Sequence, residues 1–184
     1  MVKLMDSKMK GMVMTGMIVG AFLFALLAVI GSSWMTGEED GIEAKYGLSD
    51  STVEGEGISF EIDYGDVCDE DDESDACGMD TAGLVGKMGL WIGILMAGTY
   101  AAMMILPMVG NDSMDAIPEI GQKIISWGAG GMILLGAIGW MIIKPSLDAE
   151  IDIGLGMSFF MAMFAGLLGL AAPLMDMFVP ADGE

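Results

Sequence analysis

The residues best placed for chemistry are carboxylates. Asp69, Asp71, Glu73 and Asp75 alternate along a run that also holds Glu70 and Asp72, between Cys68 and Cys77. Alternate oxygen ligands are what a calcium loop offers, so this run is the candidate metal site, with weak calcium binding as its chemistry. Two features oppose that reading. Ser74 stands at the sixth position, where glycine makes the sharp turn, and no EF-hand pattern of helices flanks the run. A solvated charge run is the competing reading. Cys68 and Cys77 are the two cysteines of the chain. An even count in an oxidising compartment reads as a disulfide. Two free thiols, or two thiolates sharing a metal with the carboxylates, are the alternatives.

Other chemistry is removed by composition. The chain has no His, so a Ser-His or Cys-His nucleophile and the His-containing zinc sites are impossible within it. No phosphate-binding loop is present, and the paired carboxylates are too exposed for one pKa to be raised selectively. The 21 Met could suggest Cu(I) handling. They are spread through the apolar stretches, as at Met12, Met14, Met17, Met103, Met104 and Met161, and read as flexible packing residues. No enzymatic activity, no cofactor beyond weakly held calcium, no nucleic-acid partner and no small-molecule substrate are expected.

The elements that must position these residues are membrane helices. Of 184 residues, 18% are charged, against about a quarter in a soluble domain. Residues 11–37, 88–111, 124–143 and 153–175 carry no charged side chain. Each stretch can cross a hydrocarbon core, which takes about 20 helical residues. Lys3, Lys8 and Lys10 near the N-terminus place that end in the cytoplasm by the positive-inside rule. Four crossings return the C-terminus to the same side, at the cell membrane. The expected order is an interior N-terminus (1–9), a first helix (10–32), an exterior segment (33–81) and a second helix (82–110). An interior loop (111–119), a third helix (120–143), a short exterior loop (144–150), a fourth helix (151–178) and an interior C-terminus (179–184) follow. The first stretch is longer than the 7–15 apolar residues of a signal peptide, so a retained helix is expected.

Lipid gives helices no hydrophobic reason to pair, so small residues that allow close approach must supply the contact. Gly16 and Gly20 form such a pair in the first helix. Gly89, Gly93, Ala97 and Ala101 make a stripe at spacing four in the second. Trp34, Trp91, Trp127 and Trp140 fall near helix ends and read as an aromatic belt. Ionisable groups sit at the helix ends, where Asp176 can pair with Lys8 or Lys10, and Lys87 with Asp148 or Asp152. No polar pathway through one protomer is visible.

Residues 37–80 hold 17 of the 27 acids and one base, Lys45. Within this acidic segment, Ile42, Ala44, Tyr46 and Leu48 alternate with polar residues or glycine, as do Ile58, Phe60, Ile62 and Tyr64. Period-two alternation predicts half-buried strands, with Glu54-Gly55-Glu56-Gly57 as the turn. The expected object is a small antiparallel sheet, one face covered, resting on the helix ends. The run between the cysteines is expected to be a solvated loop.

An interior N-terminus, four helices and a first exterior segment with strands and two cysteines resemble the claudin and peripheral-myelin-protein superfamily. Trp34 matches that group's Trp after the first helix, and Gly47-Leu48 its Gly-Leu. Cys68 and Cys77 match its cysteine pair in order and spacing, and Lys87 stands near the place of its basic residue at the second helix. Ser49 replaces the second Trp of the motif, and the interval to Cys68 is longer than usual. The resemblance implies a membrane four-helix bundle with an extracellular sheet, in which these residues carry structure. It implies a non-enzymatic protein that self-associates or contacts another membrane protein, in adhesion, barrier formation or modulation. The alternative expectation is a small subunit of a cation channel or transport complex, with acids concentrating cations at its mouth.

Overall fold

The computed structural model describes residues 7–39, 41–55, 57–70, 74–110, 116–146 and 153–179. Hydrocarbon offers no partner to backbone amides, so charge-free stretches must satisfy their hydrogen bonds internally. They do so as long helices. The helices are α1 (Ser7–Ile30), a short α2 (Tyr64–Glu70), α3 (Asp75–Ile105), α4 (Glu119–Ile143) and α5 (Met157–Phe178). Four of them, α1, α3, α4 and α5, are long and apolar enough to cross a membrane.

Small residues set the helix seams. A Cβ on Gly89 of α3 would collide with Gly136 of α4, and one on Gly93 would lie 2.9 Å from the Ile133 nitrogen. Gly130 of α4 closes in the same way on Gly166 and Gly169 of α5. Phe24 of α1 meets Phe164 of α5 edge to face, with centroids 5.2 Å apart. Phe22 of α1 lies against Gly98 of α3. The helices therefore close a ring in the order α1, α3, α4, α5.

The sheet comprises β1 (Met35–Glu39), β2 (Ile42–Tyr46), β3 (Asp50–Gly55), β4 (Ile58–Asp63) and β5 (Ile153–Leu155). Its order is β4-β3-β2-β1-β5, and every neighbouring pair is antiparallel. Glu39 pairs with Ile42 and Gly55 with Ile58, which leaves two-residue turns. Gly41 and Gly57 sit at the second turn position with φ of +79° and +82°, the left-handed geometry such hairpins require.

Several elements differ from the sequence expectation. Met35–Glu39 and Asp50–Gly55 are strands although they lack clean alternation; pairing with β2 on one side of each, and with β4 on the other side of β3, holds them. Ile153–Leu155 forms an edge strand on β1 instead of starting the last helix, which begins at Met157. Tyr64 opens α2 and does not end β4. The Asp63 carboxylate accepts from the N–H groups of Gly65 (2.8 Å) and Asp66 (3.3 Å), and this cap turns the chain into a helix. Helix α3 begins at Asp75, inside the stretch read as a loop, and Met79, Ala82 and Gly83 near its start are buried.

The covered face of the sheet is also smaller than expected. Ala44, Met35 and Ser51 are buried, but all six residues of β4 are exposed. The bundle reaches only the part of the sheet nearest Met35 and Tyr46.

Candidate functional site

The structure concentrates its unusual geometry where the sheet meets the bundle. Trp34 is fully buried at this junction. Its indole Nε1 donates to the Ala28 carbonyl at 3.0 Å, satisfying an orphan acceptor in the last turn of α1. Its ring meets Trp140 of α4 at 4.9 Å and Phe159 of α5 at 6.1 Å, both edge to face. Its backbone N–H donates to Tyr46 and its carbonyl accepts from Gly156, each at 2.8 Å. One residue therefore joins α1, β2, α4, α5 and the turn after β5. Trp140 is equally buried, and its Nε1 has no hydrogen-bond partner among the described residues. Trp91 and Trp127 are exposed, whereas Trp34 and Trp140 are core, so a headgroup belt does not account for these two.

Gly47 and Leu48 form the second anchor. The Gly47 N–H donates to the Asp50 carbonyl at 2.7 Å, and a Cβ there would lie 2.8 Å from Asp50 Oδ1. Leu48 is buried against α3. Its carbonyl occupies the space a Cβ on Gly83 would need, and its Cδ2 lies 3.0 Å from the Cβ position of Gly86. Tyr64 is buried beside them, its hydroxyl without a well-aligned partner among the described residues. Burial, and then the Asp50 charge, push its pKa well above the ordinary value, with Ser51 opposing weakly.

Cys68 of α2 and Cys77 of α3 are joined in a disulfide, which ties the helix after β4 to the start of α3. Of the proposed calcium ligands, Asp69 and Asp75 are exposed at the facing ends of these helices. Asp71 and Glu73 lie outside the described residues. Among the described residues, no group of three or more metal-binding side chains comes together.

The packing candidates divide. Gly89, Gly93 and Ala97 are buried, with Gly89 and Gly93 against α4. Ala101 instead lines a groove of about 510 Å³ between α1 and α3, with Val19, Phe22 and Gly98. Gly16 faces open space, and Gly20 makes ordinary contact with Leu168 at 3.5 Å. Lys87 is half-buried on α3, and its expected partners Asp148 and Asp152 lie outside the described residues.

At the opposite end of the bundle, Lys10 bridges Asp176 at 3.1 Å, an ion pair between α1 and α5. A polar cavity of about 420 Å³ lies beside it, lined by Tyr100, Glu119, Lys123, Ser126 and Asp176. On the sheet, Lys45 bridges Glu43 at 3.3 Å and Glu54 at 3.4 Å. The hydrogen bond to Glu43 leads in raising its pKa, and the Glu54 contact adds to it.

Sequence reasoning passed over Gly83, Gly86 and Phe159, and read Trp140 as a belt residue rather than core. The glycines were findable, because they extend the small face of α3 past Gly89. The aromatic cluster was not, since its members lie far apart in the chain. Together these features define a class: four helices of membrane-crossing length and apolarity, with a small antiparallel sheet seated on one end and stapled by a disulfide. No protein-family model matches the chain, and no curated protein sequence matches it.

Proposed function

We propose that the protein is a non-enzymatic, claudin-like integral membrane protein of the cell membrane, with both termini in the cytoplasm. Its exterior sheet makes lateral or cell-surface contacts with another membrane protein or a second copy. The observation that carries this reading is the contrast within the sheet. One side is locked to the bundle through Trp34 and Leu48. The other ends in a strand with every residue exposed, including Ile58, Phe60 and Ile62. A rigid mount beneath an exposed apolar strand suits recognition.

The test is association between two differently labelled cell populations expressing the full chain. Paired Ile58→Asp and Phe60→Asp substitutions, which add charge to an already solvated strand, should abolish association without lowering surface expression. The purified protein in planar bilayers should conduct no cations. A cation conductance that falls on Glu61→Ala would replace this reading with the channel-subunit one.

A further inference from the structure

We propose that the free edge of β4 binds an extended segment of another protein whose side chains alternate between apolar and basic, adding it to the sheet as a sixth strand. This rests on the reading of the sheet as an exterior contact surface and names the chemistry of the partner.

The edge is open. β4 is the last strand in the order, and among the described residues no strand pairs with its outer side. Natural sheets usually blunt such an edge with charged side chains, lysine above all, with proline or with a covering element, and the charges here are the acids Glu61 and Asp63. β4, Ile58–Asp63, contains no lysine and no proline.

The register tells which groups face outward. Gly55 pairs with Ile58, Val53 with Phe60 and Ser51 with Ile62. The next pair in phase is Ser49 with Tyr64, whose N–H donates to the Ser49 carbonyl at 2.9 Å. In an antiparallel ladder, alternate residues direct their main-chain groups to one neighbour. Ile58, Phe60 and Ile62 therefore bond to β3. Ser59 and Glu61 present their N–H and carbonyl groups to the free side.

The two faces of the edge differ in character. Ile58, Phe60 and Ile62 share one face and are 57%, 63% and 44% exposed. With Ile42 and Val53, Ile58 and Phe60 line a groove of about 230 Å³. The other face carries Ser59, Glu61 and Asp63, next to Glu54 and Thr52 on β3. Residues directly opposite one another across a ladder lie on the same face. A strand added here thus places apolar side chains beside Ile58, Phe60 and Ile62, and a side chain between them beside Glu61. Opposite charge is favoured there, and like charge is penalised.

Charge also selects against a second copy of this chain as the occupant. Residues 37–80 hold 17 acids and one base, and that base, Lys45, already bridges Glu43 and Glu54. A second exterior segment would bring carboxylates but no uncommitted cation to Glu61.

The experiment uses the full-length protein in nanodiscs, with empty nanodiscs as control, and three fluorescent peptides read by anisotropy. One alternates Val and Lys, one has the same composition in two blocks, and one alternates Val and Glu. The alternating Val-Lys peptide should bind at least ten-fold more tightly than either other. Glu61→Lys should reverse the charge preference. Ser59→Pro removes an outward N–H without touching the ladder to β3, a position where an edge strand tolerates proline. It should lose at least ten-fold in affinity while its circular dichroism stays unchanged. Should it misfold, Ser59→Lys serves as the second variant and should weaken Val-Lys binding. Equal binding of alternating and block peptides would overturn the proposal in favour of simple charge attraction. Binding matched by empty nanodiscs would overturn it in favour of lipid adsorption. A disulfide between copies of Ser59→Cys that blocks the peptide would overturn it in favour of self-pairing. Cell mixing scores the contact reading separately. Peptide binding that fails while cells still associate removes the sixth strand alone. Peptide binding in cells that do not associate upholds the strand and confines the contact to a partner other than a second copy.

Discussion

Trp34 and Tyr64 are both buried side chains with a polar tip, and the tips fare differently. The Trp34 indole caps α1 at Ala28, whereas the Tyr64 hydroxyl has no aligned partner among the described residues. Trp34→Ala should lower stability by about 3–5 kcal/mol, the usual cost of emptying a large aromatic site. Trp34→Phe keeps most of the packing and should lose about 1 kcal/mol with the hydrogen bond. Both are measurable by denaturant titration in mixed micelles. Tyr64→Phe should leave stability unchanged or raise it by about 1 kcal/mol, since a buried orphan hydroxyl is costly. Its pH dependence follows from the raised pKa. Below the ordinary value of 10.0 the hydroxyl is neutral in the folded and unfolded chains alike, so stability is fully present. Above it the unfolded chain ionises first, so stability falls. Lys45, raised from 10.5, acts in the same direction. The sheet and its contact with α2 should therefore hold through neutral pH and weaken above about pH 10, and Tyr64→Phe should reduce that loss. Tryptophan fluorescence against pH reads both.

At the scale of elements, the disulfide and the ion pair hold different joints. Cys68 and Cys77 are nine residues apart. Reduction should cost about 2–3 kcal/mol by chain entropy, released in α2 and the first turns of α3 rather than in the bundle. Hydrogen exchange with and without reductant localises the change. If protection were lost equally across α4 and α5, the staple would have a wider role than its position implies. The Lys10–Asp176 pair joins α1 to α5, but Asp176 is 66% exposed, so water screens much of the attraction. A double-mutant cycle with Lys10→Met and Asp176→Asn should give a coupling of only about 0.5–1 kcal/mol.

For the molecule as a whole, the seam between sheet and bundle depends on Gly83. The Leu48 carbonyl fills the place of its missing Cβ, so any side chain there must push Gly47-Leu48 off α3. Gly83→Val should detach the sheet while the four long helices persist. Limited proteolysis would then cut within 35–63 in the variant and not in the parent, at unchanged helical circular dichroism. Simultaneous loss of the helices would show that the bundle depends on the sheet as much as the sheet on the bundle.

The sequence by itself determined the elements that obey one-dimensional rules. Charge-free length specified four helices of membrane-crossing length, alternation marked Ile42–Tyr46 and Ile58–Asp63 as strands, and two cysteines in one segment marked a bond. These signals are local because hydrocarbon and the pleat each impose a constraint on every consecutive residue. Tertiary structure decided the rest. The strand at Ile153–Leu155 exists because β1 offers it an edge, and nothing within three residues could announce that. Trp34 and Trp140 became core because they face each other, although each alone has the position of an interfacial residue. Phe60 stayed exposed because the bundle ends before reaching it. Alternation states that a strand has two faces; only the packed fold determines how far along the sheet one of them is covered.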